Sequence, residues 1–501
     1  MRKLKSIILT AALVLATGTA NAQFDETNNL FYHAIRTPQS NLLNPAFHPA
    51  KNTFYLMLPG VDFQFGMPLA LNDVLRYDKA SKTTIINVDS ILHTLSEDNQ
   101  FRMGANVQLL GFGLKIKHLY LNLNLRLCNG FSIGLPISTV NALLEGNIGD
   151  DGVPHPEVKL LNGDIFNLQS YIESSVGAAF HIDKLNLTVG VHAKLLSGVL
   201  NIQTDKTHLT LHSDEDLDRM TVRAYYELQG SAVVPYDTSQ GKFLFNGPED
   251  ILNNLLANSG LAFDVGARWD LGPFSLSLAV NNITKGIHWT KNTYAFVPEN
   301  GQGEIYFDGV NINTVLNDGQ FYMDSISDYL KERIDGMKPR FVNDTNGYWF
   351  PIPTTFNLGA SYSFAHLFRA GLLFHGQLDR GLFSTGSIID GFEKSFSNTF
   401  RFNTTLSVSV NLFNWLEVVA GSSVVYDGKH LDAFNPGAGV ILSLGGAMQT
   451  YVMADYISSI RLVESKACNI KFGCNLLIGK GGKKKVSGFD PVAPILTPNE
   501  E

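Results

Sequence analysis

The sequence predicts an all-β chain: a closed antiparallel transmembrane β-barrel of about 14 strands (14–16), with short periplasmic turns and long extracellular loops. Three observations predict it. Apolar and polar residues alternate strictly in segment after segment of the 501-residue chain. Tight turns alternate with long polar connections. Beyond the first 22 residues no uncharged apolar run approaches the roughly 20 residues that a helical membrane span needs, so any crossing must use strands, and strands in hydrocarbon must close on themselves.

The elements follow in order. Arg2, Lys3 and Lys5 precede an apolar run from Ile7 to Ala16, and Ala20-Asn21-Ala22 is a small-x-small cleavage pattern, so residues 1–22 read as a signal peptide. Its removal takes three cations away and shifts the formal net charge from −8 to −11. Residues 23–53 lead into the barrel, which takes 54–478, and 479–501 read as a flexible periplasmic tail. In "YLNLNLRL" (120–127) Leu121, Leu123, Leu125 and Leu127 share one face, while Asn122, Asn124 and Arg126 share the other. In a soluble sandwich those leucines would meet a core; in a barrel they would meet lipid and the asparagines a wet interior.

The same pattern recurs at 185–195, 220–229, 274–281, 356–364, 401–412 and 469–476, where the polar faces favour small Asn, Ser, Thr and Gly residues. That composition suits a crowded, hydrated lumen. Strand candidates number sixteen, among them 185–197, 199–213, 219–230 and 273–296, and Asn129-Gly130 reads as either a bulge or a hairpin. An even count is expected, 14 or 16. Turns at Asp183-Lys184, Leu271-Gly272-Pro273, Ala365-His366, Asn414 and Gly445-Gly446 face long segments such as 138–168, 231–259 and 298–352. A sandwich has no reason to sort its loops this way. Apolar spacing near 3.6 over 309–336 predicts a helix in the longest loop. Phe413, Trp415, Tyr348, Trp349, Phe350, Tyr451 and Tyr456 sit near strand ends, as interfacial girdles would have them.

Several chemistries are disfavoured. Gly130-Phe131-Ser132-Ile133-Gly134 fits a hydrolase spacing but continues a strand instead of entering a helix. The thirteen histidines show no compact ligand spacing, and three cysteines, Cys128, Cys468 and Cys474, are too few for a disulfide framework. No catalytic residue, metal or cofactor is therefore assigned, and the acidic balance argues against nucleic acid. By alternation parity Asn122, Asn124, Arg126, His192, Lys194, Arg223 and Glu227 are expected to line the lumen.

"SNLLNPAF" (40–47), followed by "GVDFQFGMPLAL", resembles the Asn-Pro-Ala segment near the mature N-terminus of FadL-like outer-membrane proteins. The stretches 185–204, 260–289 and 434–456 are similar to an uncharacterised family of Bacteroidota barrels related to FadL and PorV. The resemblance implies a monomeric, non-enzymatic barrel in the cell outer membrane that passes small hydrophobic molecules, with residues 23–53 as an N-terminal hatch-like segment, periplasmic or tucked into the lumen, and Asn44, Pro45 and Ala46 in that hatch or its edge; a mere turn into the first strand is the other reading. The alternative function is a PorV-like platform that binds a protein partner through its extracellular loops. Outer-membrane lipid is the common partner of both. Many outer-membrane barrels end on an aromatic residue, whereas here "GKGGKKKVSGFDPVAPILTPNEE" follows the last expected strand.

Overall fold

The computed structural model describes residues 29–49 and, with interruptions in the connecting segments, 54–479. It is a closed antiparallel barrel of 14 strands. In chain order these are β1 (Phe54–Met57 and Gly60–Gly66), β2 (Gln100–Ile116), β3 (Leu119–Gly134), β4 (Phe166–Ile182), β5 (Leu187–Ser213), β6 (Ser259–Leu271), β7 (Phe274–Thr284), β8 (Thr354–Phe364), β9 (Phe368–Leu378), β10 (Phe400–Phe413), β11 (Leu416–Tyr426), β12 (Leu431–Leu444), β13 (Met448–Asp455) and β14 (Ala467–Ile478). Each pairs with the next, and β1 pairs with β14 to close the wall. Among the described residues no helix is long and apolar enough to cross a membrane.

The wall is inside out relative to a soluble protein. Leu121 is 39% exposed on the outer surface while its neighbour Asn122, 8% exposed, points inward. Leu278, Leu358, Leu372 and Leu406 stand outward on four successive strands, whereas Asn357, His375 and Asn403 are buried within. An outer band of this kind is stable against hydrocarbon, where an apolar surface costs nothing to expose. At the turn end, Phe413 and Trp415 stack in parallel with ring centroids 5.6 Å apart, and the Trp269 indole donates to the carbonyl of Leu185 at 2.9 Å. Of the other expected girdle residues only Trp349 is exposed. Tyr348, Phe350 and Tyr451 are buried inside, because every second strand position faces inward, and Tyr456, one residue past the end of β13, is buried as well.

The sixteen expected strands become fourteen for two reasons. Segments 185–197 and 199–213 are one strand, β5, of 27 residues. Segment 219–230 leaves the wall: Met220–Ala232 pairs with the far half of β5, while β6 pairs with its near half. Thr293–Pro298 and Gly303–Phe307 pair in turn with Met220–Ala232, so a sheet projects beyond the barrel at its loop end. Asn129-Gly130 lies inside β3 in unbroken register with β4. Within the expected loop helix, Leu316–Asn317 and Gln320–Phe321 pair as a short hairpin, and the rest of 309–336 lies outside the described residues. A helix that the pattern did not signal, α2 (Pro248–Ala257), precedes β6. Residues 1–22, expected as a signal peptide, and the expected tail beyond Gly479 also lie outside the described residues.

Candidate functional site

The lumen is not simply hydrated. Residues 29–49, beginning with the one-turn helix α1 (Asn29–Tyr32), run inside the barrel, and all are buried except Arg36 and Leu43, which are half-buried. They contact wall residues close to the tight turns, such as Tyr120, Gly190 and Asn411, and others farther along the strands, such as Gly266 and Asn281. This inner segment therefore runs through the lumen from the turn end as far as the loop-side end of β13, where Leu30 N donates to Asp455 and Asn29 to the Tyr456 hydroxyl.

What holds it is mostly polar, as the inward Asn, Ser and Arg residues of the wall require once water is excluded. The Leu43 carbonyl accepts from Asn281 and Asn357, each at 3.0 Å, and the His33 carbonyl accepts from Arg369 at 2.8 Å. Asn41 donates to the Tyr55 hydroxyl at 2.9 Å, and Arg36 to Asn411 at 2.7 Å. His48 stacks on Tyr120. A cavity of about 10 Å³, room for one water, remains among His33, Arg268, Ser277 and Arg369. Inward glycines make the approach possible. A Cβ on Gly190 would lie 2.3 Å from the Pro45 carbonyl oxygen, and one on Gly266 would lie 2.2 Å from the Asn44 side chain.

Asn44, Pro45 and Ala46 thus lie inside the barrel against β5, β6 and β7. Asn44 donates to the Tyr32 hydroxyl and to the Leu278 carbonyl, both at 3.2 Å, and its own side-chain oxygen accepts from Ala46 N at 2.9 Å. Asn-Pro-Ala is a turn here, but a turn buried in the wall seam rather than a plain lead into β1.

Farther from the turns, the expected lumen residues of β3 and β5 come together with two carboxylates that periodicity did not single out. Lys194 Nζ lies 2.8 Å from Asp264 and 3.6 Å from Glu173. Arg126 donates twice to Glu173, at 2.9 and 3.2 Å, and His192 Nδ1 is 3.1 Å from Asp264. Asn282 closes the cluster by donating its backbone N–H to Asp264 at 2.8 Å and accepting from Lys194 at 2.9 Å. Two cations and two carboxylates balance, which is what lets the cluster persist out of water. Asn124 donates to the Asn122 side chain at 3.3 Å on the same inner face. Glu173 and Asp264 share the inward parity of Ser175 and Gly266, a signal that alternation carried. Arg223 and Glu227 belong to Met220–Ala232, in the projecting sheet, apart from this cluster.

At the loop end Trp289, Tyr348, Phe350, Ile352 and Leu196 form a buried apolar cluster inside the mouth. Among the described residues there is no group of three or more His, Cys, Asp or Glu arranged to hold a metal ion. Ser132 is part of β3, paired with Arg102 and Asn167, and has no elbow geometry. The geometry is that of a closed barrel, apolar outside, polar within, and filled by residues 29–49 of its own chain.

No curated protein matches the sequence. Solved structures similar to it include the Pseudomonas putida toluene transporter TodX, at 9% identity and a TM-score of 0.40 over 92% of this chain and 96% of that one. The Ralstonia pickettii toluene transporter TbuX is similar at 10% identity and 0.40, over 88% and 92%. A Pseudomonas aeruginosa FadL homologue is similar at 8% identity and 0.42, over 92% and 99%. Likeness at these levels carries no argument about cargo. The match that places the chain is to a family: residues 45–455, most of the barrel and the end of the inner segment, fit the family of unknown function DUF5723, and the chain belongs to it.

Proposed function

We propose that the chain is an integral outer-membrane barrel acting as a normally closed channel for small hydrophobic molecules, with residues 29–49 as its hatch on the periplasmic side. The observation that supports this most is the non-covalent filling of the lumen: a segment held by separate hydrogen bonds to β1, β7, β8, β9, β10 and β14 can be moved without breaking the wall. The wall also has one irregular place. β1 is interrupted at Leu58-Pro59, and at the same height β2 bulges between Gln108 and Leu110, with Leu109 and Leu110 both exposed outward. Pro59 brings no N–H to the ladder, so this seam is where cargo would leave sideways into lipid. The test is entry of the apolar fluorophore N-phenyl-1-naphthylamine into cells with and without the protein at matched surface level. Faster entry with the protein supports the reading, and equal rates overturn it.

A second reading, an accessory platform for a protein partner, is favoured by the projecting sheet. β5 is 27 residues long, about 90 Å at about 3.3 Å per residue, far more than a hydrocarbon core of about 30 Å requires even for a tilted strand. Stoichiometric co-purification of one protein, lost when 199–232 is shortened, would support it.

A further inference from the structure

The water-sized cavity between the inner segment and the wall is built of hydrogen-bond donors. Its polar lining comes from both sides: His33 from the inner segment, Arg268 from β6, Ser275 from β7, Ser361 from β8 and Arg369 from β9. A guanidinium donates and accepts nothing. Arg369 Nη1 donates to the His33 carbonyl at 2.8 Å, while Arg268 donates Nε and Nη2 to Asp270 at 3.0 and 2.9 Å. Ser275 Oγ accepts from Arg268 Nε at 3.2 Å, so its own proton is left to point into the hollow. His33 Nε2 is buried and has no hydrogen-bond partner among the described residues. An imidazole with its proton on that nitrogen donates into the same space. No Asp or Glu is among the residues that line the hollow.

We propose that this hollow binds a single chloride ion, which fastens the inner segment to the wall. Volume sets the class of ligand: about 10 Å³ holds one water-sized particle, which admits a monatomic anion and excludes phosphate, sulfate or a carboxylate. The donors choose between water and ion. A water has two protons of its own to place, and here the guanidiniums accept nothing and Ser275 is already accepting. An anion asks only for donors, and these converge from both partners. Because His33 belongs to the inner segment and the other four to the wall, the site is whole only while the segment is docked. Chloride therefore stabilises the docked form by mass action. The proposal stands apart from the channel reading, since it holds whatever the barrel passes.

The experiment uses the full-length protein in lipid nanodiscs, equilibrated in sodium gluconate, whose anion is too large for the hollow. Sodium chloride or sodium bromide then replaces the gluconate at constant ionic strength. Amide exchange at residues 33–47 is expected to slow saturably with either halide, by about tenfold at ten times the dissociation constant, with exchange in β11 unchanged. In crystals soaked in bromide, anomalous density is expected among His33, Arg268 and Arg369. Ser361→Val puts methyl groups where the ion would sit and is expected to abolish the halide dependence with heat-modifiable gel mobility kept; if that variant loses the mobility, the wild-type comparison and the bromide density decide. Equal exchange in chloride and gluconate overturns the proposal and leaves a water in the hollow. Halide slowing that persists undiminished in folded Ser361→Val also overturns it, because the ion then acts elsewhere.

Discussion

Gln39 and Asn475 form a closed pair of amides: Gln39 Nε2 donates to Asn475 Oδ1 at 2.6 Å, and Asn475 Nδ2 donates back to Gln39 Oε1 at 2.9 Å. Both side chains are buried, and Asn475 also reaches Gln449 at 3.0 Å. Asn475→Leu leaves the Gln39 amide buried without its partner, a cost of about 1–3 kcal/mol. The expected outcome is proteolysis of the inner segment at lower protease concentration, with barrel mobility on unheated gels unchanged. Adding Gln39→Leu should restore part of the protection, since two apolar groups of similar shape replace the broken pair.

Gly190 tests the hatch by space instead of bonding. Valine is at home in a strand, but its Cβ would meet the Pro45 carbonyl oxygen at 2.3 Å and the Ala46 nitrogen at 2.7 Å. Gly190→Val should keep the wall and expel the segment around Asn44. Ion conductance in planar bilayers is expected to rise above that of wild type, and fluorophore entry into cells with it.

Acid should loosen the same segment. His33 and His48 belong to the inner segment, not to the wall. Burial, helped by the guanidiniums of Arg369 and Arg268, pulls the His33 imidazole down to about 3, and burial likewise pulls His48 well below its ordinary value. Above about pH 6.5 both are neutral whether docked or released, so titration adds nothing. As pH falls below that, only the released form takes up protons and is favoured, by up to about 1.4 kcal/mol per pH unit for each histidine, until the docked pKa is reached near 3 for His33. Amide exchange at 29–49 should therefore quicken between pH 6 and 4, and His33→Gln should flatten that dependence.

The lumen cluster is expected to matter for the barrel itself. Lys194 is the one cation within 4 Å of both Glu173 and Asp264 among the described residues. Lys194→Met leaves Asp264 with His192 and one backbone N–H, and should lower stability by about 3–5 kcal/mol, as loss of one partner from a buried pair does. The temperature at which heat-modifiable mobility is lost measures it. Lys194→Met combined with Asp264→Leu should recover part of the loss, because no unpaired carboxylate remains.

How far the sequence carried these sites depends on the distance over which each contact acts. Leu121 and Asn122 announce opposite faces because parity is local, and His192 and Lys194 were found on the inner face for the same reason. Gly198, in contrast, falls at the expected break between 185–197 and 199–213, which the structure does not have. It lies within β5 because the Trp289 ring passes over it, 2.3 Å from where a Cβ would stand; nothing near residue 198 reports a tryptophan 91 positions away. Met220–Ala232 alternates like any wall strand, and only its pairing with the far half of β5 takes it out of the barrel. The inner segment was expected through the resemblance carried by Asn44 to Ala46, but its wall partners were not legible, since Gln39 and Asn475 are 436 residues apart and a single sequence holds no record of that meeting.

The outer face is the assignment on which membrane residence turns, and Leu358 tests it. It lies midway along β8, between Leu278 of β7 and Phe374 of β9, and is 56% exposed on the outside. In water such a leucine would be a liability and arginine there harmless or helpful to solubility. Against hydrocarbon the order reverses: Leu358→Arg should cost about 2–4 kcal/mol near the bilayer midplane, while Leu358→Phe should be nearly neutral. Urea-driven unfolding and refolding in liposomes reads the difference. A midpoint for Leu358→Arg equal to that of Leu358→Phe would mean that this face never meets acyl chains. A clear fall would fix the polarity of the whole wall, because parity ties Leu358 to every outward residue of its strand and register ties that strand to its neighbours.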